Sequence, residues 1–251
     1  MNVQRIDTDS RVFGGCVLAI RDFAPDAAFA AFERSYIAAY DPIYVSCRVP
    51  LEDLAGIHFL EKAEFNFIEC QIRSTIKLRR PYDVSAFPYD FLKVSREEDL
   101  SDVLDIAGTT FVHDRISLDP CIAPGVSGAR YREYVLNSFR SADEAVYRLV
   151  DQRSGQVVAF KTHKYVGADE VLFLLGGVHP ALKNVGLGPV NDFLEFNELM
   201  RLGIRRGTTH FSAGNYPIFN LEIGRLGFRV AGTFAVLRKL YRRDGAAVRA
   251  V

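Results

Sequence analysis

An α+β fold is what this sequence predicts, and three observations carry that reading. Residues 145–150, 157–166 and 171–178 are strand-like apolar runs. They are joined by the short polar turns Asp151-Gln152-Arg153-Ser154-Gly155 and Gly167-Ala168-Asp169, which makes an antiparallel meander. Val190, Phe193, Phe196 and Met200 then recur at the spacing of one helix face. Before the meander, helix-like and strand-like runs alternate along the first part of the chain.

Composition bounds the function. The chain has 251 residues, 49% apolar and 25% charged, enough for one large domain or two small ones around a real core. Lys plus Arg equals Asp plus Glu at 31 each. No net field therefore favours nucleic acid or an anionic membrane. Arg238, Lys239, Arg242 and Arg243 form a local basic cluster, read as a solvated strand end. The amino terminus lacks a signal-peptide pattern and no apolar run reaches membrane-spanning length. Cys16, Cys47, Cys70 and Cys121 are scattered without C-x-x-C spacing. That fits reduced thiols in a cytoplasmic protein better than disulfides or a zinc site, so no metal is expected.

The elements follow in order. Residues 12–21 form an apolar strand with Phe13-Gly14-Gly15 near its start, and residues 26–39, rich in Ala and Phe, form a helix. Residues 43–49 make a β-branched strand ended by Pro50, and Leu51, Leu54 and Ile57 carry helical spacing. A strand led by Phe65 runs out near Leu78, and residues 81–88 read as a Pro-containing linker. The expected division is 1–88 and 89–251. The second segment opens with Ser95-Arg96-Glu97-Glu98, a capping box ahead of Val103, Leu104 and Ala107. Ser127 is expected to cap a helix bearing Tyr131, Tyr134, Val135, Ser138 and Phe139. After the meander come a helix ending at Arg206-Gly207, a strand over 210–213, a helix over 218–225 and a final strand pair over 228–241. Lys62-Ala63-Glu64-Phe65-Asn66-Phe67 echoes Arg225-Leu226-Gly227-Phe228-Arg229-Val230, as if the first segment were a worn copy of the second.

The chemistry concentrates in residues 174–188. An apolar strand ends in Gly176-Gly177, a short loop follows, and a helix starts at Gly188-Pro189. Glycines remove the Cβ atoms that would hold a diphosphate away from the main chain. Proline in the first turn gives up only an N–H that has no intrahelical partner. The remaining free N–H groups and the positive dipole end suit an anion.

Val178-x-Pro180 followed by Lys183-x-x-Gly186-x-Gly188 resembles the coenzyme A loop of the GCN5-related N-acetyltransferases, with lysine where that family has Gln or Arg. Asn215 and the stretch from Asn220 to Leu226-Gly227-Phe228 resemble its second hallmark. The resemblance spans about 150 residues in order, from near Leu92 to Tyr241. It implies a mixed, mostly antiparallel sheet with helices on both faces, joined by a smaller N-terminal lobe of similar style.

By position, the resemblance makes acetyl-coenzyme A the acyl donor. Lys183, Asn184, Val185, Gly186, Leu187 and Gly188 would hold its diphosphate. Gly177, Val178 and Asn215 would meet the pantetheine arm, with a bulge at Gly176-Gly177 opening the slot. The Val178 N–H would polarise the thioester carbonyl, a role worth about 3 kcal/mol in comparable cases. The family's usual Tyr acid, five residues before the final Phe, is replaced by Ile223, or by Glu222 if the helix holds an extra residue. Tyr216 is the substitute acid, and His179 and His163 are candidate bases.

Residues 111–120 and 131–138, with Phe13-Gly14, further resemble the dTDP-fucosamine acetyltransferase group. That likeness implies the amino group of a nucleotide-linked amino sugar as acceptor, with Arg115 as an anion or sugar contact. Two alternatives stay open: another amine or a carrier-bound acyl donor, and a non-catalytic acyl-coenzyme A-binding module. An exposed sheet edge would allow a homodimer.

Overall fold

The computed structural model describes residues 1–183 and 185–241. Among these residues ten strands form one sheet: β1 (Asn2–Arg5), β2 (Cys16–Arg21), β3 (Pro42–Pro50), β4 (Asn66–Lys77), β5 (Tyr89–Lys93), β6 (Glu144–Asp151), β7 (Val157–Tyr165), β8 (Glu170–Val178), β9 (Arg206–Ser212) and β10 (Arg229–Leu240). Their spatial order is β1-β2-β3-β10-β4-β9-β8-β7-β6-β5. Neighbours are parallel only at β2–β3 and β8–β9, so the sheet is mixed and mostly antiparallel.

Helices cover both faces. On one lie α2 (Phe29–Tyr40), α3 (Leu54–Lys62), α7 (Leu187–Arg201) and α8 (Tyr216–Leu221); on the other lie α1 (Asp7–Phe13), α4 (Ser101–Thr110), α5 (Arg115–Leu118) and α6 (Val126–Arg140). The predicted stripes carry part of this packing, and Ile106 and Leu199, outside those stripes, complete it. Val103, Ile106 and Ala107 of α4 meet Tyr131 and Val135 of α6 over Val146 and Phe160 of the meander. Phe196 and Leu199 of α7 pack with Phe228 and Ile76 on the opposite face.

Several local expectations are corrected. Residues 12–21 split at Gly14 into the end of α1 and β2, because Gly14 takes φ 66° and closes the helix on the Ser10 carbonyl. Ser95 forms no capping box: Arg96 stands at the N-cap without a side-chain bond and pairs with Glu98 and Asp99. Ser127 lies inside α6, where it donates to Asp114 Oδ2 at 2.9 Å, and Gly125 holds the N-cap. Arg238 is no solvated strand end. It is 6% exposed and bound twice by Asp119 at 2.7 and 2.8 Å, while Lys239 pairs with Glu33 and Glu64; Arg242 and Arg243 lie outside the described residues.

The expected final strand pair is the single strand β10. It lies between β3 and β4, while β4 pairs with β9. The last strand of the second segment is thus embedded in the first. The two echoed helix-to-strand junctions lead into β4 and β10, which pair with each other.

Candidate functional site

The site begins where β8 parts from β9. Their parallel pairing covers only Glu170 to Phe173 against Arg206 to Thr209. Beyond it, β8 continues to Val178 and β9 to Ser212 without bonding each other. The register with β7 shifts between Thr162 and His163, leaving Leu174 as the extra residue of a bulge. The bulge expected at Gly176-Gly177 therefore sits two to three residues earlier, at the point where the strands part.

The register also decides which main-chain groups face the slot. The His179 N–H donates to the Val158 carbonyl at 2.8 Å, which makes that a hydrogen-bonded pair. Ala159–Val178 and Lys161–Gly176 alternate with it as non-hydrogen-bonded pairs. The Gly176 and Val178 N–H groups consequently point away from β7 into the slot, whereas Gly177 directs its own at Phe160. Gly177 is nevertheless constrained, since a Cβ there would lie 2.6 Å from Phe160. The Val178 carbonyl accepts from Thr110 Oγ1 at 3.1 Å.

The loop after β8 leads to α7. Gly186 is its N-cap at φ 83°, with no side chain among the described residues capping the first turn. Among the described residues, a Cβ on Gly186 would meet nothing within 4 Å, and one on Gly188 would meet only Leu221 Cδ2 at 3.7 Å. Open space over uncapped N–H groups at a 15-residue helix suits the diphosphate of a coenzyme A thioester. Val185 is 67% exposed and Leu187 4%, so Leu187 contributes its main chain while its side chain anchors the helix. Asn184 lies outside the described residues. Lys183 follows a 3₁₀ turn at Pro180–Leu182 that is capped by His179, whose Nδ1 accepts from the Ala181 N–H at 3.3 Å. Asn215 caps α8 through Ile218 N, and Tyr216 opens that helix 69% exposed.

A charged network, largely buried, floors the slot on the α7 side. Lys161 Nζ binds Asp192, with Glu195 Oε2 at 3.6 Å, and Glu195 Oε1 meets His163 Nδ1 at 2.9 Å. His163 Nε2 reaches the Tyr165 hydroxyl at 3.2 Å. Both nitrogens of this fully buried imidazole are engaged, so His163 is a packing residue. Burial acts against the charge on Lys161, yet its carboxylate partners hold the pKa above the ordinary value.

After α8 the chain makes one π turn over Glu222–Leu226. A π turn holds one residue more than an α turn, the condition under which the sequence count falls on Glu222 instead of Ile223. Glu222 accepts from Ser74 Oγ of β4 at 2.9 Å. Burial pushes its carboxyl up to about 7, with Ser74 and Lys161 opposing and Asp192 adding to the rise. On the opposite face, Glu69 of β4 is 8% exposed beside Ser212, its pKa raised by burial against the pull of Arg115.

No protein-family profile matches the sequence, and no curated protein does either. Solved structures do match. A GCN5-related N-acetyltransferase from Sphaerobacter thermophilus aligns over 95% of this chain and 76% of its own, with a TM-score of 0.67 at 12% identity. A tandem GNAT protein from the clavulanic acid biosynthesis pathway aligns over 91% and 76%, with a TM-score of 0.60 at 14% identity. The chain has a GCN5-related N-acetyltransferase fold. A glucosamine N-acetyltransferase region of a fungal multi-domain β-N-acetylglucosaminidase shares it too, over 94% of this chain and 31% of that one, with a TM-score of 0.66 at 9% identity. Within this acetyltransferase fold, Arg115 lies on the sheet face opposite α7, at the start of α5.

Sequence reasoning missed Glu69, Lys161, Asp192 and Glu195. Their signal was present as charges set inside apolar strand runs and on the apolar stripe of α7 beside Phe196. Among the described residues no helix is long and apolar enough to cross a membrane, and no cluster could hold a metal ion.

Proposed function

We propose that the chain is an acyl-coenzyme A-dependent N-acetyltransferase whose acceptor is the amino group of a nucleotide-linked amino sugar. The observation carrying this reading is the split between β8 and β9, with the bare, uncapped start of α7 at its mouth. When bound, acetyl-coenzyme A supplies an acetyl group activated as a thioester.

The N–H groups of Leu187 and Gly188 hold the diphosphate with Lys183, and the Gly176 N–H aligns a pantetheine amide. The Val178 N–H donates to the thioester carbonyl oxygen as that oxygen gains charge. On the opposite face, Glu69 accepts the proton of the acceptor ammonium, a task favoured by its raised pKa. Glu222, with a carboxyl poised at about 7, returns a proton to the departing sulfur. It fits this role better than Tyr216, which is 69% exposed, or His179, whose Nδ1 is already engaged. The amino-sugar assignment is supported by the likeness of residues 111–120 and 131–138 and by the glucosamine N-acetyltransferase region among the structural neighbours.

A thiol-release assay with acetyl-coenzyme A and nucleotide-linked 3-amino and 4-amino sugars tests the reading. Turnover well above that for peptide amines and polyamines is expected. Tight acetyl-coenzyme A binding with no acceptor in the panel would replace it with a non-catalytic module.

A further inference from the structure

A cavity of about 170 Å³ opens on the sheet face opposite α7, lined by β2, β3, β4 and β10 and by helices α1, α5 and α6. Its charge is one-sided. Arg21 and Arg48 stand exposed at its mouth, and Arg115 lies deeper. The observed partners of the first two are neutral: Arg21 Nε donates to Gln4 Oε1 at 3.0 Å and Arg48 to Gln71 Oε1 at 2.9 Å. Arg115 Nε is buried with no partner among the described residues; the Tyr44 hydroxyl, also buried without one, lies in the field of Arg115, Asp119, Arg238 and Asp9 but outside the cavity lining. Asp9 also lines the cavity, but Arg130 holds it at 2.7 Å. Partial desolvation and the like charges of Arg21, Arg73 and Arg115 hold the Arg48 pKa below its ordinary value. Glu69, opposite Val236 on the next strand, pulls on Arg115, but among the described residues no carboxylate bonds Arg21, Arg48 or Arg115, so the converging guanidiniums and the orphaned Arg115 Nε leave room for one further anion.

The cavity adjoins the slot. Gln71, on its wall, is the direct cross-strand partner of Ser212 at the end of β9. Strands are spaced about 4.8 Å apart, so the cavity and the slot are separated by about two strands, or ~10 Å.

We propose that this cavity binds a compact oxyanion, phosphate or carboxylate, carried by the acceptor within about 10 Å of its amine, with Arg48 and Arg115 as its principal contacts. A forked guanidinium matches either anion. The proposal rests on the acetyltransferase reading and adds that the acceptor must be anionic at a defined distance from the nitrogen.

Two measurements separate the ideas. First, inorganic phosphate is titrated into Gly186→Glu protein, where the diphosphate site is blocked, and thermal unfolding is followed. The expected result is a saturable rise in Tm that is lost on adding Arg48→Gln or Arg115→Gln and kept on adding Arg229→Gln. Second, glucosamine is compared with its 1- and 6-phosphates, and with nucleotide-linked amino sugars, as acceptor. At least one phosphorylated amine should show a KM tenfold or more below that of glucosamine. Arg48→Gln should erase the difference while acetyl-coenzyme A affinity stays unchanged by calorimetry. No phosphate-induced Tm rise, or one indifferent to both arginines, overturns the site. A Tm rise without any kinetic preference for charged acceptors overturns its role in acceptor binding. Failure of the wild-type protein to bind acetyl-coenzyme A overturns the acetyltransferase reading instead, and the phosphate titration still reads the cavity.

Discussion

Two charged regions flank the slot, and they are built on opposite principles. On the α7 side, Lys161, Asp192, Glu195, His163 and Tyr165 pair with one another in a closed, buried chain. On the other face, Arg21, Arg48 and Arg115 converge with neutral partners or none. The first region spends its charges on holding helix α7 to strand β7. The second leaves its charges available. Burial and residue type alone would not separate them; the sign and saturation of the partners do.

The sharpest way to break this contrast is to remove one member of the closed chain. Lys161→Met leaves Asp192 and Glu195 buried without their cation, and unpaired buried charge costs about 3–5 kcal/mol. Thermal unfolding should show Tm lower by about 10 °C. A change of under about 2 °C would mean the network does not secure α7.

A smaller effect is expected at Glu222, which sits between the regions. Its folded-state pKa of about 7 lies above the unfolded value of 4.5. The native state binds the proton more tightly, so this group costs stability that is absent below pH 4.5 and complete above about pH 7. Glu222→Gln should therefore raise Tm by about 7 °C at pH 8 and leave it unchanged at pH 4.5. An equal shift at both pH values would show that the carboxyl is not perturbed.

The least effect belongs to the open region. Arg48→Gln should change unfolding free energy by less than about 0.5 kcal/mol, because no carboxylate loses its partner and like-charge repulsion is relieved. A loss above about 1 kcal/mol in urea titration would make Arg48 a structural residue and erase the contrast.

Much of this architecture was legible in the residues. The meander, the α7 stripe and the glycine-rich loop are local signals, and each falls where its pattern places it. The π turn was anticipated only as an alternative, because nothing in Leu221-Glu222-Ile223-Gly224 distinguishes an α from a π turn before Phe228 is packed. β1 and β5 were missed because they are short and mostly exposed edge strands. The insertion of β10 between β3 and β4 is a long-range choice that no local pattern encodes. The arginine cavity draws residues from seven separate segments of the chain. Only Arg115 was singled out, and that from a likeness instead of from its neighbours.

The central claim is that main-chain amides at the start of α7 bind the diphosphate of acetyl-coenzyme A. Calorimetric titration of acetyl-coenzyme A into wild-type, Gly186→Gln and Gly186→Glu proteins tests it most directly. Both variants place a side chain at φ 83° and share the same backbone strain, but only the glutamate adds negative charge. Affinity should fall at least tenfold further for Gly186→Glu than for Gly186→Gln, with both proteins folded. Equal affinity in the two variants and the wild type would contradict the account.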